Sequence, residues 1–281
     1  MIRVAVLIAV IGVASAQTVP CGVPTVKPTL STKRIVGGTA AVQGSWPWMV
    51  LFSDDQGYIS GAGAILGPRT IMTSAQMFKG VNYNFLASTD LSMWTVYTGS
   101  HNINTVAPLE RNFTIKSVSI HENYDPTTLA NDICLIYTDQ DIVYNDHTSP
   151  VCLPGPGHSY NAGQTCYLAG WGDTGNVNDE VLFQVDLPII ADHDCQTHFQ
   201  DFIVGTELCA GYENGGKDWC GDDIGSPLVC QDTNGAWYAQ GIASSGGDCT
   251  AADEPGVFED VSKYISWIKT QMQTAGYPYQ Y

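Results

Sequence analysis

Short runs rich in β-branched, aromatic and other apolar residues, among them Ile65-Leu66, Trp94 to Tyr97 and Phe113 to Ile120, alternate from Trp46 onward with clusters of Gly, Pro, Asn and Asp. Runs punctuated in this way predict short strands joined by turns, and a succession of them predicts an all-β sandwich or barrel. The pattern changes at the C-terminus, where Val261, Tyr264, Ile265, Ile268 and Met272 recur at helical spacing and predict a helix with one inward face. The N-terminus differs in kind. Arg3, an apolar run from Val4 to Val13 and the small residues Ala14-Ser15-Ala16 predict a secretory signal peptide over residues 1–16. That run is too short to span a bilayer, and no other stretch reaches spanning length. No internal repeat or low-complexity tract is visible.

Residues 17–34 are rich in Pro and Thr, contain Cys21 and end in Lys33-Arg34 before Ile35-Val36-Gly37-Gly38. They predict a linker, or propeptide, ahead of one domain over residues 35–281, a length that all-β sandwiches and barrels commonly reach as single domains. Eleven basic against 28 acidic residues give a net charge of −17. Such a surface argues against nucleic acid and anionic membrane as partners, and it favours solubility or the steering of a cationic partner. Nine cysteines in a secreted chain imply disulfides, and the odd count leaves one thiol over.

Three segments carry chemistry. Trp219-Cys220-Gly221-Asp222-Asp223-Ile224-Gly225-Ser226-Pro227-Leu228 resembles the C-x-G-D-S-G-G-P-L nucleophile loop of the chymotrypsin/trypsin (S1) family, Ile71 to Met77 resembles its T-A-A-H-C segment, and Asn131 to Ile136 resembles its D-I-A-L-L segment. The resemblance covers Ile35 to about Gln273. It implies two six-stranded antiparallel β-barrels with a C-terminal helix, and it places the triad at Gln76, Asp132 and Ile224. Only the acid survives. An amide cannot shuttle a proton near neutral pH, and an isoleucine has no atom that attacks a carbonyl. Asp222 also stands where the family has a Gly whose N–H binds the oxyanion, adding repulsion where positive potential is needed. Ser226, two residues beyond the nucleophile position, reads as a small loop residue.

The resemblance implies an activation cut between Arg34 and Ile35, after which the Ile35 ammonium would pair with Asp223. It assigns a remnant specificity pocket to Asp218, Trp219, Ser245, Gly246 and Gly256. Asp218 matches the acid that gives trypsin its Lys/Arg preference, and it reads equally as a buried remnant or a recognition residue. Trp219 brings bulk where the family has a small residue, and Ser245 replaces a wall Trp. The implied disulfides are Cys21–Cys152, Cys166–Cys230, Cys195–Cys209 and Cys220–Cys249, with Cys134 free. The bridge beside the histidine is lost at both ends, to Gly61 and Met77.

Asn112-Phe113-Thr114 is a glycosylation sequon. The Gly99 to Glu110 stretch resembles the start of trypsin's calcium loop, but Ser100 and Ala107 replace carboxylates, so no metal is expected and no other cofactor is implied. The six histidines show no metal-ligand spacing. The resulting expectation is a secreted, non-catalytic serine protease homologue that binds an extracellular protein, a protease or its substrate, as cofactor or decoy in a proteolytic or immune cascade. The alternatives are a trypsin-like endopeptidase with atypical chemistry and an acidic extracellular structural component, the latter suggested by the acidity and the Tyr-rich tail, which otherwise reads as a frayed terminus.

Overall fold

The computed structural model describes residues 19–30, 38–79, 90–155, 160–172, 180–212, 219, 221–246 and 255–281, with the side chain of Asp222 left out. After a two-residue strand β1 (Thr39–Ala40), six strands form the first barrel: β2 (Met49–Ser53), β3 (Ile59–Gly67), β4 (Thr70–Thr73), β5 (Thr95–Thr98), β6 (Arg111–Ile120) and β7 (Cys134–Thr138). They close in the order β2-β3-β4-β7-β6-β5, every pair antiparallel. The helix α1 (Gln76–Lys79) follows β4 directly.

The second barrel holds β8 (Thr165–Gly170), β9 (Phe183–Ile190), β10 (Glu207–Ala210), β11 (Pro227–Gln231), β12 (Trp237–Ser245) and β13 (Gly256–Asp260). Pairing of β8 with β9 closes it, and β1 adds to the first residues of β9. Helices α2 (Asp192–His198) and α3 (Val261–Thr274) complete the chain. The expected two-barrel architecture with a C-terminal helix is the one observed.

Strands β2, β4 and β7 of the first barrel are buried on both faces. In β2 all five residues are buried: Val50 and Phe52 join the barrel interior with Ile65, Ile71 and Ile136, whereas Met49 and Leu51 join a second cluster. That second cluster includes Leu66, Met72 and Tyr137 of the first barrel, Trp237 and Ile242 of the second, and Val261, Tyr264, Ile268 and Met272 of α3. It is the seam that fixes the two barrels and α3 against one another. Asp260 starts α3 by accepting the Ser262 N–H at 3.0 Å, an N-cap that satisfies one of the helix's orphan donors.

One expectation needs correction. The Tyr-rich end is docked, not frayed: Tyr279 Oη accepts the Leu153 N–H at 2.9 Å, Tyr277 packs on Tyr137 with ring centroids 5.8 Å apart, and Tyr281 Oη meets Tyr144 Oη at 3.4 Å. Residues 19–30, in the expected propeptide, are tied to the body of the domain. Cys21 is bonded to Cys152, the Gly22 carbonyl accepts from the Trp237 N–H at 2.9 Å, and the Thr29 carbonyl accepts from Gln184 Nε2 at 2.8 Å. The predicted signal peptide, residues 1–16, lies outside the described residues. Among those described, no helix is long and apolar enough to cross a membrane.

Candidate functional site

Asp132 is the hub of the site. It lies in the turn leading into β7, where Leu129 (φ 59°) and Asn131 (φ 57°) adopt left-handed backbone conformations that aim it inward, and it has no exposed surface. Such conformations are costly outside glycine and persist only where surrounding structure holds them. Its Oδ2 accepts from Ser74 Oγ at 2.6 Å, Gln76 Nε2 at 2.6 Å and Ser244 Oγ at 2.8 Å, while Oδ1 accepts the Gln76 N–H at 2.7 Å. Burial raises its pKa, and the donors from Ser74, Gln76 and Ser244 oppose that rise.

Gln76, at the first position of α1, also donates from Nε2 to the Ser244 carbonyl at 2.7 Å. The two neighbours of this amide group, a carboxylate and a carbonyl, accept only, so the NH2 must face them. Both its protons are thereby engaged. The histidine position thus holds a neutral donor with no basic nitrogen, clamped between β12 and the Asp132 turn. The amide of Gln76 has no nitrogen that accepts a proton near neutral pH.

The Asp132 N–H donates to Glu259 Oε1 at 2.8 Å, and Tyr264 Oη donates to Glu259 Oε2. Glu259 lies fully buried in β13, and burial pushes its pKa up to about 8. Ser74, Ser244, Glu259 and Tyr264 are members of the site that sequence reading did not single out as such. Ser74 falls inside the Ile71 to Met77 segment and Ser244 stands next to Ser245, so both were findable there. Glu259 carried no signal, because its partner is 127 positions away.

Ile224 follows the 3-10 turn Gly221–Asp223 and is partly buried where the interiors of the two barrels meet. Its carbonyl accepts the Ala62 N–H at 2.8 Å. The neighbouring Gly61 faces the thioether of Met77, so a methionine side chain occupies the space between the two positions of the missing disulfide. Ser226 has no exposed surface and is tied by its backbone to Asp223 and Ala243, so its hydroxyl is closed to any substrate. Asp223 is buried with its Oδ1 accepting the Gly172 N–H at 2.8 Å. Its expected partner Ile35, and Arg34, lie outside the described residues.

Trp219 stands between two glycines of the expected remnant pocket. A Cβ on Gly256 would stand 2.2 Å from Trp219 Nε1, and one on Gly246 would stand 3.2 Å from Cζ2 of the same ring, so the indole occupies the slot between the two glycines. Trp219 also packs on Phe258, ring centroids 6.1 Å apart. Ser245 ends β12, partly buried, in register with Val257. Asp218 lies outside the described residues, as do Cys220 and Cys249.

Disulfides join Cys21 to Cys152, Cys166 to Cys230 and Cys195 to Cys209. Cys134 is a buried free thiol donating to the Ser74 carbonyl at 3.3 Å, with its pKa pushed well up by burial. Asn112 and Thr114 are exposed on β6, so the sequon is sterically open. Among the described residues, no group of three or more His, Cys, Asp or Glu side chains is arranged to hold a metal ion.

The Trypsin family model matches residues 35–268 of this chain. Curated relatives include the human atrial natriuretic peptide-converting enzyme, 32% identical over 243 residues that make up 85% of this chain and 23% of that protein. Bovine coagulation factor XI is 32% identical over 260 residues, 90% of this chain and 40% of its own length. The chain therefore spans less than half the length of either relative. Matched over most of its length by the family, and folded into its two barrels, the chain belongs to the trypsin family of serine proteases.

Proposed function

We propose that this chain is a secreted, non-catalytic member of the family, working as a cofactor or decoy that binds an extracellular protease or a protease's substrate. The observation that carries the reading is the amide of Gln76, which donates both protons to Asp132 and Ser244 and offers no base. Ile224 supplies no nucleophile, and Ser226 is fully buried. Trp219 fills the slot a basic side chain would enter. Loss of base, nucleophile and pocket together removes chemistry and substrate selection at once, whereas the scaffold that presents the surrounding loops is kept. Secretion rests on the N-terminal residues 1–16 and on the disulfides.

The test is hydrolysis of Arg- and Lys-containing peptides, with fluorophosphonate labelling, on the purified chain before and after cleavage at Arg34. Neither turnover nor labelling is expected. Turnover abolished by Asp132→Asn, or a label on Ser226, would sink the reading. Ile224→Ser alone is expected to stay inactive, because nucleophile and base act as a unit. Binding is then measured against candidate proteases and their substrates in the native fluid, with cut and uncut protein compared.

A further inference from the structure

The first barrel carries a cavity of about 260 Å3 whose lining includes no member of the Asp132 network or the Trp219 slot. Leu51 of β2, Ile59 of β3 and Tyr97 of β5 contribute from the strands, and Ser100, Ile103 and Val106 contribute from the loop between β5 and β6. Clefts that take a drug-sized molecule run from about 300 to 1,000 Å3. This one is sized for a single long side chain.

Apolar surface gathers beside it. Val106 and Ile103, both lining residues, are 83% and 40% exposed, and Tyr58, between the lining residues Gly57 and Ile59, is 70% exposed. Eight large hydrophobic side chains stand exposed among the described residues, and three of them collect at this one place, where scattered single ones would need no explanation. The walls are fixed in advance: Asp54 Oδ1 accepts the Gln56 and Tyr58 N–H groups at 2.9 and 2.8 Å, and the Ile103 N–H donates to the Glu180 carbonyl at 2.7 Å. A pre-ordered wall lowers the cost of binding.

Glu110 is the one charged residue in the lining. Asp54 and Asp55 lie in the chain between the lining residues Ser53 and Gly57, and Glu180 holds Ile103; among the described residues none of these four acids forms an ion pair. Arg111, next to Glu110 in the chain, donates to the Pro108 and Glu110 carbonyls. One carboxylate is too few for Ca2+, which takes several oxygen ligands, but it is the complement of one guanidinium. Ser100, whose Oγ is buried without a partner in the protein, adds a hydroxyl acceptor to the lining.

We propose that this cavity seats an arginine from a basic, apolar-flanked segment of a partner protein, with its stem along Leu51, Ile59 and Ile103, its guanidinium at Glu110, and its apolar neighbours on Val106 and Tyr58. Long cationic side chains bury their stems while the head keeps polar company, and arginine is enriched among the residues that dominate interfaces. A net charge of −17 draws such a segment in. The inference rests on the non-catalytic reading only in expecting a protein partner.

The experiment follows, by fluorescence anisotropy on the full chain, a labelled Gly/Ser-framed peptide with a central Leu-Arg-Leu. Saturable binding is expected, weaker by about tenfold when citrulline, which keeps the shape and loses the charge, replaces the arginine. Glu110→Gln should weaken the parent peptide by a similar factor of about ten, and the two losses should not add, because each breaks the same pair. Val106→Ser should weaken it about threefold, whereas Val143→Ser, a change at a valine 74% exposed outside the cavity lining, should not. No saturable binding, equal binding of the citrulline peptide, full additivity of the two losses, or displacement of the peptide by Ca2+ at constant ionic strength overturns the proposal. The readout is binding and not turnover, so its failure leaves the non-catalytic reading standing, and turnover in the peptidase assay leaves the occupant of this cavity standing.

Discussion

Gln76 makes two hydrogen bonds from one amide, and each of its acceptors is buried. Gln76→Ala would leave the Asp132 carboxylate short of a donor and the Ser244 carbonyl unpaired, a cost of about 1–3 kcal/mol, to be read from urea denaturation. Glu259 makes the site sensitive to pH. Its folded pKa of about 8 stands above the ordinary value of 4.5, so the folded state holds a proton that the unfolded state has released. Its stabilising contribution is complete below about pH 4.5 and is lost as pH rises toward 8. Denaturation midpoints should therefore fall across that window by an amount worth a few kcal/mol at most, and Glu259→Gln should flatten that part of the profile. A parent profile that is level from pH 5 to 8 would disprove the assignment. At this scale the sequence revealed the substitutions but not the network. Gln76 and Ile224 announce themselves within local motifs, whereas Ser74, Ser244 and Glu259 meet Asp132 only after three distant segments fold together.

Elements were legible where their pattern was local. The runs at Trp94 to Tyr97 and Phe113 to Ile120 became β5 and β6, with Trp94 just ahead of its strand. The helical spacing after Asp260 became α3. The strand β2 shows no alternation because the barrel interior claims one of its faces and the seam claims the other, so period-two reading had nothing to detect. Helix α2 escaped for a related reason: of its seven residues only Cys195 is buried, and one buried position makes no stripe. The C-terminal tail was misread because its anchors are hydrogen bonds and ring contacts to remote residues. Tyr279→Phe would orphan the Leu153 N–H and is expected to cost about 1–3 kcal/mol. Removing residues 277–281 should cost more, since it also strips Tyr137 of its packing partner. Equal thermal stability of the truncated and full chains would return the tail to the status of a frayed end.

For the molecule as a whole, the open question is whether an activation cut still does anything. Asp223 is buried and held by the Gly172 N–H, and a newly freed Ile35 ammonium is its proposed partner. Burying that charge pair would bias the loops around Asp222 and Trp219 toward one arrangement. Cleavage after Arg34 should slow hydrogen exchange in residues 216–227 and change affinity for the partner, and Asp223→Asn should abolish both effects. If the cut protein exchanges like the uncut one, the site at Arg34 is an inherited feature without consequence.

The bond between Cys21 and Cys152 decides what such a cut would leave behind. The severed N-terminal piece would not diffuse away. Gel mobility under non-reducing conditions would show one species and under reducing conditions two. The piece would also remain at a high effective concentration beside its seat on Trp237 and Gln184, because tethering turns rebinding into an intramolecular event that dilution cannot oppose. Cleavage in this protein would then be a change of connectivity rather than a release, and any partner that reads the cut form would meet residues 19–30 still in place.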